Sequence, residues 1–191
     1  MTYVKYFQYF CIVNPTEYIQ LRAFARNDGG YLAVLWIISF ACIILGMKVP
    51  FLGTLGTTFA FLSPFFVYRR IQSFRDHVRE GVLKYWDGYV YSMSMFFYAA
   101  LLLAVVQYAY FAFMDKGAFF STSLEQARQI LIAGNYPEKE INAAIEEYRS
   151  MRPIDWALYF MSMNIIIGGI VSIFIAIFTR KKNKKKNDIK E

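Results

Sequence analysis

Histidine, cysteine and proline are scarce in this chain, and so are charged residues. One His, two Cys and five Pro occur among 191 residues, and Asp, Glu, Lys and Arg together make up only 18%. Two cysteines are too few for a disulfide framework, and one histidine provides no pair of imidazole ligands for a metal-dependent membrane protease. So low a charged fraction, beside 57% hydrophobic residues, is typical of a membrane domain rather than a soluble one.

Motifs of known catalytic sites are missing as well. The sequence contains no P-loop, no dinucleotide-binding glycine pattern and no nucleophile elbow. His77 lies in a polar connector beside Asp76, where a solvated side chain is expected more often than a metal ligand or a base. No ionisable residue is expected inside a span, so we predict that the protein is not an enzyme and needs no cofactor or metal.

What the chain does have is four long apolar stretches, which contain almost no charge. They occupy residues 31–47, 49–68, 88–114 and 154–179. At about 1.5 Å per residue in a hydrocarbon layer of roughly 30 Å, the last three are long enough for a transmembrane helix, and the first is at the short end of the permitted range. Pro64 is predicted to kink the second helix. The predicted fold class is therefore an all-α integral membrane protein with four transmembrane helices.

The distribution of basic residues determines the predicted orientation. Arginines and a lysine concentrate between residues 69 and 84, and a second group follows the last span directly: Arg180, Lys181, Lys182, Lys184, Lys185 and Lys186. Lys and Arg remain on the cytoplasmic side of a membrane, next to its anionic leaflet. Both termini are therefore predicted inside (N-in/C-in). This asymmetry accounts for the net charge of +7, so no nucleic-acid partner is expected.

Residues 1–30 are predicted to form an N-terminal interfacial leader. Asn14, Pro15 and Glu17 have the pattern of a helix start, and the sequence Asn-Asp-Gly-Gly at residues 27–30 is expected to end that helix. One face of the helix would then lie on the inner headgroup layer. A solvated leader helix is the alternative.

The four-helix membrane domain, residues 31–179, precedes a basic cytoplasmic tail, residues 180–191. We expect the tail to contact anionic lipid, each cation near the surface contributing about 1 kcal/mol. Docking of an acidic cytoplasmic partner is the alternative.

The outer loop, residues 115–153, is predicted to fold into a helical hairpin. Thr122 and Glu125 match a capping box at the start of one helix, and Gly134 matches its stop. A second helix is expected to begin at Pro137. The hairpin would cap the bundle on its outer side.

Two amides inside the spans are candidates for a polar contact. Gln107 in the third span and Asn164 in the fourth are predicted to lie at similar depths. An amide pair between these helices would contribute about 1 kcal/mol or less. The alternative is a polar lining for a substrate path.

Small residues at a spacing of four mark helix faces that allow close packing. Gly168, Ser172 and Ala176 form such a stripe on the last span, and Gly53 and Gly56 begin similar rows on the second. The rows on the second span are predicted to let a neighbouring helix come close. The stripe on the last span is predicted to pack on another helix of the bundle, with a contact between subunits as the alternative.

Several short motifs carry a resemblance to a known family. They are Phe74-Arg75-Asp76 with Gly81, Tyr85 and Trp86, then Phe113-Met114-Asp115, and finally Gly168-Gly169 with Ser172 and Ala176. With these motifs the chain resembles, over roughly residues 30–182, the four-span bacterial membrane proteins called domain of unknown function 4199. The resemblance implies a multi-pass protein of the bacterial inner (cytoplasmic) membrane and assigns no activity and no site residues.

Two functions remain open at this point. The first is a structural or accessory membrane subunit that binds a membrane-protein partner or a second copy of itself. The second is a small oligomeric transporter or channel, because four helices alone enclose little room for a path.

Overall fold

The computed structural model describes residues 15–115 and 117–181. Seven α-helices occur there in chain order: α1 (Pro15–Gly46), α2 (Pro50–Phe61), α3 (Ser63–His77), α4 (Tyr85–Ala109), α5 (Ala118–Ala133), α6 (Glu138–Ser150) and α7 (Pro153–Thr179). Four segments are long and apolar enough to cross a membrane, namely Glu17–Gly46, Pro50–His77, Tyr85–Met114 and Pro153–Thr179. The predicted all-α fold with four membrane-spanning helices is thereby confirmed. The predicted cap, Asn14, lies outside the described residues.

The first helix continues through the segment where the sequence predicts a break. α1 is continuous from Pro15 to Gly46, although Gly costs a helix interior about 1 kcal/mol relative to Ala. A Cβ added to Gly29 would lie 2.9 Å from the Cβ of Tyr98 and 3.0 Å from the carbonyl oxygen of Met95. Glycine therefore lets α4 approach α1 closely, and this packing outweighs the weak helix propensity. The predicted break at residues 27–30 is wrong.

The second span is interrupted at Leu62, between α2 and α3, where Pro64 predicts a kink. Trp36 on α1 donates a hydrogen bond of 2.6 Å from Nε1 to Oγ of Ser63 beside the interruption. α3 continues to His77, beyond the predicted end of the span at residue 68, because its apolar face packs on α1 and α4. The connector to α4 is correspondingly short.

Small residues bring α1 and α2 together as an antiparallel hairpin. A Cβ added to Gly46 would lie 2.4 Å from Cα of Gly53, and one added to Gly56 would lie 2.7 Å from the carbonyl oxygen of Ser39. The hydroxyl of Ser39 also donates a 2.7 Å hydrogen bond to the carbonyl oxygen of Gly56. The two predicted packing glycines thus face α1 within the chain.

The stripe on the last span packs against α4. A Cβ added to Gly168 would lie 2.6 Å from Cβ and from Cγ of Phe96. Further along α7, Ser172 and Ala176 are fully buried, and Ala176 lies opposite Gly88 of α4. The stripe is therefore occupied by a helix of the same chain.

The helices close into a bundle at one end only. α1 packs between α2 and α4, and α4 packs along α7. α7 also meets α3, but it makes no extended contact with α2. We call the end of the bundle that carries α5 and α6 the hairpin end and the opposite end, which carries residues 78–84 and 180–181, the tail end. The bundle is closed at the tail end and open between α2 and α7 towards the hairpin end.

Hydrogen bonds between distant segments fasten the tail end. Leu83 and Lys181 exchange two backbone hydrogen bonds of 3.0 Å each. Arg75 donates from Nη1 to the carbonyl oxygen of Thr179 at 3.2 Å, and Arg79 pairs with Glu17 at 2.6 Å. Basic residues from both groups that the sequence identified therefore lie at the same end of the bundle.

The loop between the last two spans forms the predicted helical hairpin, although its first helix begins earlier than expected. α5 starts at Ala118 and not at Thr122, because Gly117 turns the chain with φ of 88° and Asp115 Oδ1 accepts a 2.9 Å hydrogen bond from the Phe119 N–H. The predicted stop at Gly134 is confirmed, and the second helix begins one residue after the predicted Pro137, which caps it. Gly134 follows the last residue of α5, and α6 begins at Glu138.

Replacing Gly168 by Ile is expected to lower the free energy of unfolding by about 1 to 3 kcal/mol, because the new side chain would overlap Phe96. The neighbouring substitution Gly169→Ile is the matched control, since a Cβ there would meet Met93 Sδ at an ordinary 3.5 Å. Thermal unfolding of the purified protein in detergent compares the two variants. Equal unfolding temperatures would show that the α4–α7 contact is not as tight as described.

Candidate functional site

A crevice lies between α2 and α7, where the bundle is open. It consists of two adjoining cavities of about 270 and 350 Å³. Trp36, Ala60 and Asn164 line both cavities and so mark the passage between them. Because α2 and α7 make no extended contact, the crevice opens sideways, towards the region that lipid occupies around a membrane protein.

The two amides that the sequence identified face this crevice. Gln107 on α4 and Asn164 on α7 both line the cavity of 270 Å³. Gln107 is only 5% exposed, and its Oε1 accepts no hydrogen bond from Asn164 or from any other described residue. The two amides thus line the same cavity, as expected, but the predicted hydrogen bond from Asn164 to Oε1 of Gln107 is not formed. An unpaired buried acceptor of this kind costs about 1 to 3 kcal/mol.

A buried carboxylate that sequence reasoning missed lies closer to the tail end. Asp28 of α1 is 2% exposed and accepts hydrogen bonds from Arg70 of α3 and from the hydroxyl of Tyr91 on α4. The bond from Arg70 Nε to Oδ1 measures 2.9 Å, and Nη2 donates to the same oxygen. The expectation that no ionisable residue lies inside a span is wrong, because Asp28 belongs to the first candidate span. The ion pair holds that charge inside the bundle.

Helical spacing contained the signal that would have located this carboxylate. Leu21, Ala25, Asp28, Leu32 and Trp36 recur at intervals of three and four, and all five are buried. Asp28 therefore lies on the apolar face of a continuous helix. The predicted break at Gly29 and Gly30 divides this helix, so the buried spacing on both sides of Asp28 is not apparent from the prediction.

Aromatic residues hold the hairpin against the bundle. Phe111 contacts Phe120 at a ring distance of 5.0 Å, and Trp156 contacts Phe120 at 5.2 Å and Tyr148 at 5.5 Å. Burial in this cluster raises the pKa of Tyr148. The turn between α5 and α6 lies away from these contacts, so the hairpin has one packed face and one free tip, formed by Ile130, Ile132 and Tyr136.

The other candidate residues lie on the surface. Arg180 and Lys181 are exposed at the tail end, and Lys182, Lys184, Lys185 and Lys186 lie outside the described residues. His77 is exposed as well. Within residues 15–115 and 117–181, no group of three or more His, Cys, Asp or Glu residues could hold a metal ion.

Replacing Asp28 by Asn is expected to lower the free energy of unfolding by about 1 to 3 kcal/mol, because Arg70 and Tyr91 would lose a charged acceptor. Arg70 is 39% exposed, so water replaces part of the lost ion pair and the effect stays below that of a fully buried pair. Thermal unfolding in detergent measures the change. Asp76→Asn removes the exposed pair with Arg75 and serves as the control, for which little change is expected. Similar effects of the two substitutions would contradict a structural role for Asp28.

The chain matches the sequence profile of one known family. That family is described as "Protein of unknown function (DUF4199)", and the match covers residues 27–181. It includes α1 from Asn27 onwards, every later helix and the hairpin. Searches of curated proteins and of solved structures found no match. The match spans most of the chain, and the chain therefore belongs to the DUF4199 family of proteins of unknown function.

Proposed function

We propose that this multi-pass membrane protein is a non-enzymatic structural or accessory subunit in the bacterial inner (cytoplasmic) membrane. The observation that carries the proposal is the free tip of the α5–α6 hairpin. Ile130, Ile132 and Tyr136 expose 71%, 55% and 54% of their surface there, although this segment lies between two spans. Exposed apolar side chains outside the lipid favour contact with another protein.

The other candidate surfaces are already in contact with helices of the same chain, which supports the same proposal. Gly56 and Gly168 pack inside the chain, so their faces are not free to hold a partner. The charge of Asp28 is paired with Arg70 and bound by Tyr91, which favours a structural role for it. Among the described residues, the hairpin tip and the exposed Arg180 and Lys181 are available to contact a partner or a second copy.

The position of the basic residues supports an orientation with both termini inside. Arg75, Arg79 and Lys181 lie at the tail end, which would face the anionic leaflet and the cytoplasm. The hairpin would then face outwards.

A small oligomeric transporter is the second candidate, and it is favoured by the two amides, Gln107 and Asn164, in one cavity. Flux across vesicles that contain the purified protein, lost on Gln107→Leu without loss of folding, would support transport over an accessory role.

The accessory role predicts a protein that co-purifies in a fixed ratio from native membranes in mild detergent and depends on the hairpin tip. The double substitution Ile130→Glu with Ile132→Glu is expected to abolish this co-purification, because it places charge in a desolvated apolar contact. Quantitative mass spectrometry of the tagged protein gives the ratio.

Gln129→Glu is the matched control, since it adds a charge to the same exposed surface of α5 and replaces no apolar contact. Co-purification should survive this change. A wild-type protein that purifies alone, or a partner that both variants retain, would rule out this role for the tip.

The proposed orientation predicts which residues a membrane-impermeant maleimide can reach in intact cells. In a variant without Cys11 and Cys42, Glu146→Cys on α6 should be labelled at once, whereas His77→Cys should react only after permeabilisation. Both positions are exposed in the structure, so access to the compartment decides the result. The reverse pattern would overturn the orientation.

A further inference from the structure

A cleft opens between α5 and α6 in the half of the hairpin that adjoins the spans, away from the free tip. Its volume is about 500 Å³, within the range of known ligand sites. Gly117 and Trp156 line it, and they lie three positions from Met114 and Pro153, where the third candidate span ends and the fourth begins. The cleft is therefore at the level of the lipid headgroups, whichever side of the membrane the hairpin faces.

Three charged side chains line this cleft, and none of them forms an ion pair among the described residues. They are Glu125 and Arg128 on α5 and Arg149 on α6, and all three are exposed. Neither arginine donates a hydrogen bond to a described residue, and Glu125 accepts one of 3.4 Å from Gln129. Two guanidinium groups without a carboxylate partner favour an anion with several oxygen atoms, which can accept hydrogen bonds from both.

The rest of the lining is apolar, and it is held in place by an aromatic contact. Leu124 and Ile145 line the cleft beside the charged residues. Tyr148 stacks on Trp156 with a ring distance of 5.5 Å and an interplanar angle of 21°, which fixes the end of α6 that carries Arg149. A molecule that fills the cleft therefore meets charged groups and an apolar surface together.

These features restrict the occupant to a molecule with three parts. It needs an anionic group for the two arginines, a cationic group for Glu125 and an apolar part for the remaining surface. The phosphodiester of a phospholipid has two free oxygens, one for each guanidinium, and a primary ammonium group has three N–H donors for a carboxylate. The depth of the cleft in the membrane matches that of such a headgroup.

We propose that the cleft binds the headgroup of phosphatidylethanolamine, with its phosphate on Arg128 and Arg149, its ammonium group on Glu125, and its glycerol and first methylene groups beside Leu124 and Ile145. Phosphatidylglycerol has the same phosphate but no cation, so it would leave the charge of Glu125 unpaired. A soluble phosphate ion would contact the arginines and leave the apolar surface uncovered. The site therefore selects phosphatidylethanolamine over phosphatidylglycerol with the same acyl chains.

Competition between the two lipids tests this selection. The full chain, purified in a mild non-ionic detergent, is mixed with equal concentrations of phosphatidylethanolamine and phosphatidylglycerol, and native mass spectrometry resolves the lipid-bound forms by mass. We expect a preference of about two- to fivefold for phosphatidylethanolamine, the range for one exposed ion pair. A wild-type protein that binds both lipids equally, or prefers phosphatidylglycerol, would overturn the proposal.

Substitutions inside and outside the cleft separate this site from general lipid contact. Glu125→Gln should remove the preference, whereas Glu146→Gln, an exposed position of α6 outside the cleft, should keep it. Arg128→Gln and Arg149→Gln should each lower the affinity for both lipids about two- to fivefold, and Lys139→Gln should leave both unchanged. All five positions are exposed, so we expect the variants to unfold at the temperature of the wild type.

Inorganic phosphate distinguishes a lipid site from a site for soluble anions. In large excess it should not displace phosphatidylethanolamine, because it makes no contact with the apolar part of the cleft. Displacement by phosphate alone would assign the arginines to a soluble anion and overturn the lipid proposal. Lipid binding that none of the three cleft substitutions changes would overturn it as well.

Discussion

The carboxylate of Asp28 joins three helices of the bundle at one point. It accepts hydrogen bonds from Arg70 of α3 and Tyr91 of α4, while its own backbone belongs to α1. A charge in a region of low dielectric is tolerated only when it is paired and hydrogen-bonded. The position of α3 relative to α1 and α4 is therefore constrained. α1 must remain helical through Gly29 to place Asp28 there, so the ion pair and the close approach of α4 depend on each other.

The contacts of Asp28 with Arg70 and Tyr91 lie nearer the tail end, and the helices pack more completely there than at the hairpin end. Towards that end, α3 meets α7, and residues 83 and 181 bond across the termini of two spans. Towards the hairpin end, the chain bends at Leu62, and α2 follows α1 without reaching α7. Lipid provides no hydrophobic drive to close such a gap, so helices that lack a small-residue contact remain apart. The crevice follows from this difference between the two halves of the second span.

The buried polar groups differ in their hydrogen-bond partners. Ser92, Ser172 and Thr179 donate to carbonyl oxygens of their own helices. Asp28, Ser39 and Ser63 all have partners on neighbouring helices, which suits a structural role. Gln107 differs, because its Oε1 is buried beside a cavity and has no described partner. Outside the spans, the hairpin combines a packed aromatic face with an exposed apolar tip. The interior is thus held by paired polar groups, whereas the hairpin tip leaves apolar side chains exposed.

Much of the architecture was determined by the sequence alone. The four spans, the kink near Pro64, the stop at Gly134 and the hairpin follow from local rules of length, helix propensity and backbone geometry, and these rules act between residues close in the chain. Only the tertiary structure decided that α1 continues through residues 27–30, that Asp28 is paired, and that Oε1 of Gln107 has no described partner. These features depend on which helices contact one another and at which positions along the bundle axis. The helix contacts arise between residues distant in the chain, where a close approach at Gly29 compensates for weak helix propensity and the bend at Leu62 separates α2 from α7.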